Sequence, residues 1–121
     1  NSHQVLYPLC RAMQKLTQYY RLERIDRDDI IITREDVEKI TKAPTDLVGL
    51  RGEDGEVVVI NRKLIAAIVL DRERTRQHQQ QAIDETCGQD KDKRLEFIRN
   101  NPLLLGRSKI LKENEKLLPT A

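Results

Sequence analysis

Apolar positions recur along most of this chain with a recognisable period, and one segment breaks it. In "YPLCRAMQKLTQYYRL" (7–22), Leu9, Ala12/Met13, Leu16 and Tyr19/Tyr20 fall at helical spacing. Pro8 suits a first helical position, so an amphipathic helix is expected there. The next residues, "RLERIDRDD", set Arg21, Arg24 and Arg27 among acids and read as a solvated helix end or loop. "IIIT" (30–33) is short and β-branched, which predicts a strand. Thr33 can then cap a helix from about Arg34 to Lys42. Asp36, at the third helical position, completes a carboxylate variant of the capping box, and Pro44 stops the helix. "LVGLRGEDGEVVVI" predicts a β-hairpin, with "GEDG" supplying the permissive turn residues. Asn61 is a natural N-cap for the next element.

The exception is Leu64–Leu70, an unbroken apolar run that gives way at once to "DRERTRQHQQQ". At about 100° per residue, such a run leaves a helix with no polar side. A helix of that kind must be enclosed by its own domain or by a partner. Periodicity alone leaves a strand open for so short a run. Ala66 and Ala67 are poor strand formers and good helix formers come after them, so the expectation is a helix. After Leu70 the apolar stripe vanishes until Ala82 and Ile83. Gly88, in the loop "CGQDKDK", can terminate that helix. "DKRLEFIRNN" predicts a short helix carrying Leu95, Phe97 and Ile98, broken by Pro102. "SKILKENEKLL" predicts a last helix with Ile110, Leu111, Leu117 and Leu118 on one face and Pro119 closing it. No internal repeat of solenoid length is present.

These elements predict an α+β fold: a predominantly helical small domain with a short antiparallel β-hairpin packed on the helices. Leu9, Met13, Leu16, Val37, Ile40, Val57, Val59, Leu64, Ile65 and Ile68 are expected to supply most of the core. Residues 1–88 would form the helical and hairpin core domain, and 89–121 a C-terminal helical extension.

Composition narrows the picture. A chain of 121 residues has the size of one domain. With three Tyr, one Phe and no Trp, its core must be aliphatic. The net charge of +2 creates no global field toward nucleic acid or membrane, so any such binding must come from a local patch. No apolar run approaches the roughly 20 residues of a membrane span. The first residues, "NSHQVLYPLCRAM", lack the pattern of a signal peptide and do not start with Met, which suggests a fragment or processed chain. Cys10 and Cys87 form no CxxC. The expectation is an intracellular protein, cytoplasmic or nuclear, with two reduced thiols; a single long-range disulfide is the other reading.

Candidate chemistry is sparse. His3, Cys10, His78 and Cys87 contain no closely spaced pair, so no metal site and no cofactor are expected. "RGEDGE" lacks both the GxxxxGK[ST] pattern and EF-hand ligand spacing, and a hairpin turn explains its glycines. Asp28/Asp29 and Glu35/Asp36 read as surface carboxylates, the latter pair serving a helix N-terminus. An enzyme is not expected.

The arginine row Arg72, Arg74, Arg76 carries two readings. In one, Asp71 pairs with Arg74 and Glu73 with Arg76 on a solvated helix. In the other, "RTRQHQQQ", which contains no acid, meets phosphates or bases. The expected function is a non-enzymatic assembly module. It would self-associate or join a larger protein complex through Leu64, Ile65, Ile68, Val69 and Leu70. The alternative is a nucleic-acid-binding regulator using Arg62, Lys63, Arg72, Arg74 and Arg76, with an enzyme of unknown class third. No membrane partner is expected.

Overall fold

A computed structural model describes residues 16–52 and 55–117. The expectations for His3, Leu9, Cys10, Met13 and Leu118 lie outside the described residues. The chain divides into two compact units. One runs from Thr17 to Arg72, and the other holds the residues from Glu73 onward and takes in Leu16.

The first unit is built from strands β1 (Tyr19–Arg24) and β2 (Ile30–Thr33), helix α1 (Arg34–Lys42), and strands β3 (Leu47–Arg51), β4 (Val57–Asn61) and β5 (Ile65–Leu70). β1 lies at the centre of an antiparallel sheet in the order β2-β1-β5, while β3 and β4 form a separate hairpin. Tyr20 and Leu22 of β1 stand opposite Ile32 and Ile30 of β2 on one side, and opposite Leu70 and Ile68 of β5 on the other. The two sheets and α1 close over one aliphatic core of Leu22, Ile32, Ile40, Val48, Leu50 and Ile60.

Several local expectations hold for the physical reasons given. Thr33 accepts a hydrogen bond from the Asp36 amide, and the Asp36 carboxylate accepts one from the Thr33 amide, a complete capping box. A cap of this kind contributes about 1 kcal/mol. At the end of the hairpin the Gly55 amide donates to the Gly52 carbonyl, and Gly55 has φ +84°, a conformation that favours glycine. The Asn61 side chain accepts from the Lys63 amide, as an N-cap should, but the element it caps is a single 3₁₀ turn, Arg62–Leu64.

Other expectations fail. Leu64–Leu70 is not a helix: Leu64 ends the 3₁₀ turn and Ile65–Leu70 is a strand paired with β1. The cause is tertiary, because β1 offers a free ladder and burial on its core face outweighs the weak strand propensity of Ala66 and Ala67. Ile65 and Ile68 both pack against the core, a spacing of three that no regular strand allows. The register slips between Glu23 and Arg24, leaving Ala66 as an extra residue, so that both isoleucines face inward. Similarly, Tyr19 and Tyr20 lie on β1 rather than on a helix, and Arg21–Arg24 continues that strand. The β portion is therefore larger than one hairpin, although helical residues outnumber strand residues among those described. The α+β class stands.

The hairpin also shows the opposite face parity from the expected core. Val58 and Ile60 point inward, whereas Val57 and Val59 point to solvent, as does Leu64. β3 dictates this. Val48 and Leu50 are its core positions, Gly49 and Arg51 lie on the other face, and the register sets Gly49 against Val59 and Arg51 against Val57.

The second unit contains α2 (Arg72–Cys87, its first residue at the boundary), α3 (Lys91–Arg99) and α4 (Arg107–Glu115). Ile83, Ile98 and Leu104 form its apolar centre, with Leu16, Phe97, Ile110 and Leu111 around them. Gly88 ends α2 at φ +56°, its amide donating to the Asp84 carbonyl. Asp90 caps α3 by accepting from the Lys93 amide. Leu117 lies beyond the end of α4 and is exposed, so it does not share the apolar face expected for it.

The parity of β3 and β4 is directly testable. Val48→Thr places a hydroxyl in the core and should cost about 1–3 kcal/mol in urea unfolding. Val59→Thr should stay within about 0.5 kcal/mol. Equal losses at both positions would contradict the register.

Candidate interaction surfaces

The outer face of the β3–β4 hairpin gathers three of the most exposed large apolar side chains among the described residues. Leu47 is 62% exposed, Val57 68% and Val59 60%. Gly49 stands opposite Val59 between them and keeps the face low. Beside Val59 a shallow groove of about 110 Å³ is lined by Leu64, Asn61, Arg24, Asp26 and Arg27. The amide of Ile25, itself 68% exposed, donates to the Leu64 carbonyl at 2.9 Å and holds that rim against the 3₁₀ turn.

The expected interface residues divide between core and surface. Ile65 and Ile68 pack into the core, Leu70 is half-buried, and Leu64 and Val69 are on the surface. Leu64 ends the 3₁₀ turn and the other four lie on both faces of β5, so they do not gather into a single patch. Arg62 has a structural task. One guanidinium nitrogen donates to the carbonyls of Ile40 and Ala43 at 3.0 and 2.9 Å, at the C-terminal end of α1. The rest of the group pairs with the Asp46 carboxylate at 3.3 Å, and Lys63 approaches the same carboxylate at 3.5 Å. Arg72, Arg74 and Arg76 are on α2, where the expected helix does form, and all three are exposed along it.

In the helical unit, four polar residues are buried that sequence pattern did not single out: Thr75, Gln79, Arg94 and Asn114. Gln79 donates to the Leu105 carbonyl at 3.3 Å and accepts from the Leu105 amide at 2.6 Å, tying α2 to the turn before α4. Arg94 donates to Asn114 at 2.7 Å, to Asp84 at 2.9 Å and to the Gly88 carbonyl at 2.7 Å, which joins α3 to α4 and to the end of α2. Asn114 in turn donates to the Ile110 carbonyl. A cavity of about 190 Å³ opens beside the Gln79 clamp, lined by Arg76, Gln79 and Gln80 of α2, Leu105 and Gly106 of the turn, and Lys109, Ile110 and Glu113 of α4.

Among the described residues, no group of three or more His, Cys, Asp or Glu is placed to hold a metal ion, and no helix is long and apolar enough to cross a membrane. No protein-family model, curated protein or solved structure matches the chain.

Sequence pattern missed the hairpin face because "VVVI" is apolar on both sides of the strand, so alternation carries no signal there. The usable signal was on β3, where Gly49 and Arg51 mark the outer face. Lys109 had no local signal, since Arg76, which shares its cavity, lies on another helix.

Cys87 is a free, buried thiol whose Sγ donates to the Lys93 carbonyl at 3.5 Å. Burial pushes its pKa up, and Asp90 adds to that. Arg94 and Lys93 oppose the shift without cancelling it. The folded state therefore holds the thiol proton more tightly than the unfolded state. Its contribution to stability is present below the ordinary thiol pKa of about 8.5 and is lost as pH rises beyond it. Tm measured from pH 7 to 10 should fall more steeply for the wild type than for Cys87→Ala. Parallel curves would show that the thiol is not held neutral by the fold.

Proposed function

We propose that this protein is a non-enzymatic assembly module that pairs with a second copy of itself through the outer face of the β3–β4 hairpin. The observation that carries this reading is the exposure of Leu47, Val57 and Val59 on two adjacent strands. An uncovered apolar face of this kind on a folded unit marks an interaction surface more often than an isolated exposed leucine does. The interface residues differ from those read from the sequence, of which Leu64 alone borders this face.

A second copy suits the face in shape and charge. The apolar ridge and the groove beside Val59 lie on one surface, so a two-fold axis would set the ridge of each copy into the groove of the other. The groove's volume of about 110 Å³ suits one aliphatic side chain. Its rim carries both signs, with Arg24 bonded to the Asp28 carbonyl and Arg27 paired with Asp26, so no large single-sign field opposes a second copy. Each ridge side chain would contribute on the order of 1–2 kcal/mol on burial, counted from both copies. Set against the cost of association, that supports a weak dimer, with a dissociation constant on the order of micromolar.

Sedimentation equilibrium from 10 to 500 μM (concentrations chosen to bracket roughly micromolar to millimolar affinity) should show a monomer–dimer equilibrium. Val57→Lys/Val59→Lys should be monomeric throughout, with unchanged circular dichroism because both side chains lie outside the core. A wild type that stays monomeric, or a dimer that survives the double substitution, overturns the proposal.

A further inference from the structure

The cavity in the helical unit belongs to neither the core nor the hairpin face, and its lining is mixed: Leu105 and Ile110 form an apolar floor among amide and charged side chains with one net positive charge. Arg76 lines it from α2 and Lys109 from α4, two solvent-exposed cations on separate helices that share one cavity. Glu113, one turn beyond Lys109, is the single acid in the lining. Gln80 adds a neutral amide. The walls are held in place by Gln79, whose side chain is almost fully buried and bonded twice to Leu105. Thus Arg76 and Lys109 stand on a fixed frame. The volume of about 190 Å³ is several times the roughly 30 Å³ share of one water, enough for a tetrahedral oxyanion with its ester arms.

We propose that this cavity binds a phosphate group, with Arg76 and Lys109 as its charged donors and Gln80 as a neutral one. Arginine offers paired donors that match phosphate oxygens, and lysine supplies a point charge. The same chemistry could come from a phosphodiester strand or from a free phosphate compound. The surroundings favour the strand. α2 carries no acid from Arg74 to Ile83, so a polyanion entering the cavity would meet no opposing carboxylate along that stretch of the helix.

Two titrations of the full chain test this. In the first, inorganic phosphate is added at low salt while backbone amides are followed by NMR. The amides of Arg76, Gly106, Lys109 and Ile110 should shift together and saturably. In the second, a labelled single-stranded oligonucleotide of about 20 nucleotides, long enough to cover a typical single-strand site, is titrated by anisotropy over a range of salt. Arg76→Gln/Lys109→Gln should weaken binding at least about tenfold and lower the log–log salt slope by roughly 1.4, at about 0.7 per lost contact on a single strand. Glu113→Gln should tighten binding, an effect that loss of structure would not produce. Lys39→Gln, in the other unit, should change nothing. Amide shifts with phosphate but no oligonucleotide binding would assign the site to small phosphate compounds and still support it. The proposal is overturned if phosphate shifts none of these amides, or if the double variant keeps its fold by circular dichroism and binds both probes as the wild type does.

Discussion

Ile65 and Ile68 must face the same way, and a strand can do that with a spacing of three only by carrying an extra residue. Ala66 is that residue. The bulge lets β5 place both isoleucines on the core while Ile68 stays opposite Leu22, the fully buried centre of β1. β1 is thereby paired on both edges, and the aliphatic core is closed by residues that start and end the first unit. The remainder of that unit depends on this closure. α1 is fixed at its start by the Thr33 capping box and at its end by Arg62, which reaches back from the 3₁₀ turn leading into β5. The hairpin's inner face meets the same core, so its outer face is left for solvent or a partner.

The run Leu64–Leu70 reads as a helix in the sequence because Ala66 and Ala67 are poor strand formers and good helix formers follow them. Pairing with β1 overrides that local preference, and the bulge sets Ala66 aside as the unpaired residue. Where chemistry is local, the sequence was legible: the capping box at Thr33 and Asp36, the turn at Gly55 and the terminator at Gly88 each act within a few residues. Where the outcome depends on a distant partner, it was not. The tyrosines of β1 adopt strand geometry because β2 and β5 flank them, and nothing in "TQYYRL" encodes those neighbours. The parity of "VVVI" is likewise set by Gly49 and Arg51 on the opposite strand.

The helical unit is organised differently. Its apolar centre is small, and much of its definition comes from buried polar side chains with fixed partners. Arg94 serves α2, α3 and α4 at once, and Gln79 clamps the turn before α4. Leaving such groups unsatisfied costs about 1–3 kcal/mol each, more when charged, so these contacts restrict the unit to one arrangement. They were invisible in the sequence because Gln79 sits in a run of glutamines and Arg94 among alternating charges. That same rigidity is what would allow Arg76 and Lys109 to act as a pair.

The claim on which this account rests most heavily is that Ile65–Leu70 is consumed by the fold as a bulged strand against β1. Amide hydrogen exchange followed by NMR reads it directly. As the central strand, β1 should keep its amides from Tyr20 to Leu22 all protected, among the slowest in the first unit. β5, at the sheet edge, should show protection only at alternate residues, interrupted at Ala66. Uniform i to i+4 protection and helical chemical shifts across Ile65–Leu70, with rapid exchange in β1, would contradict the account.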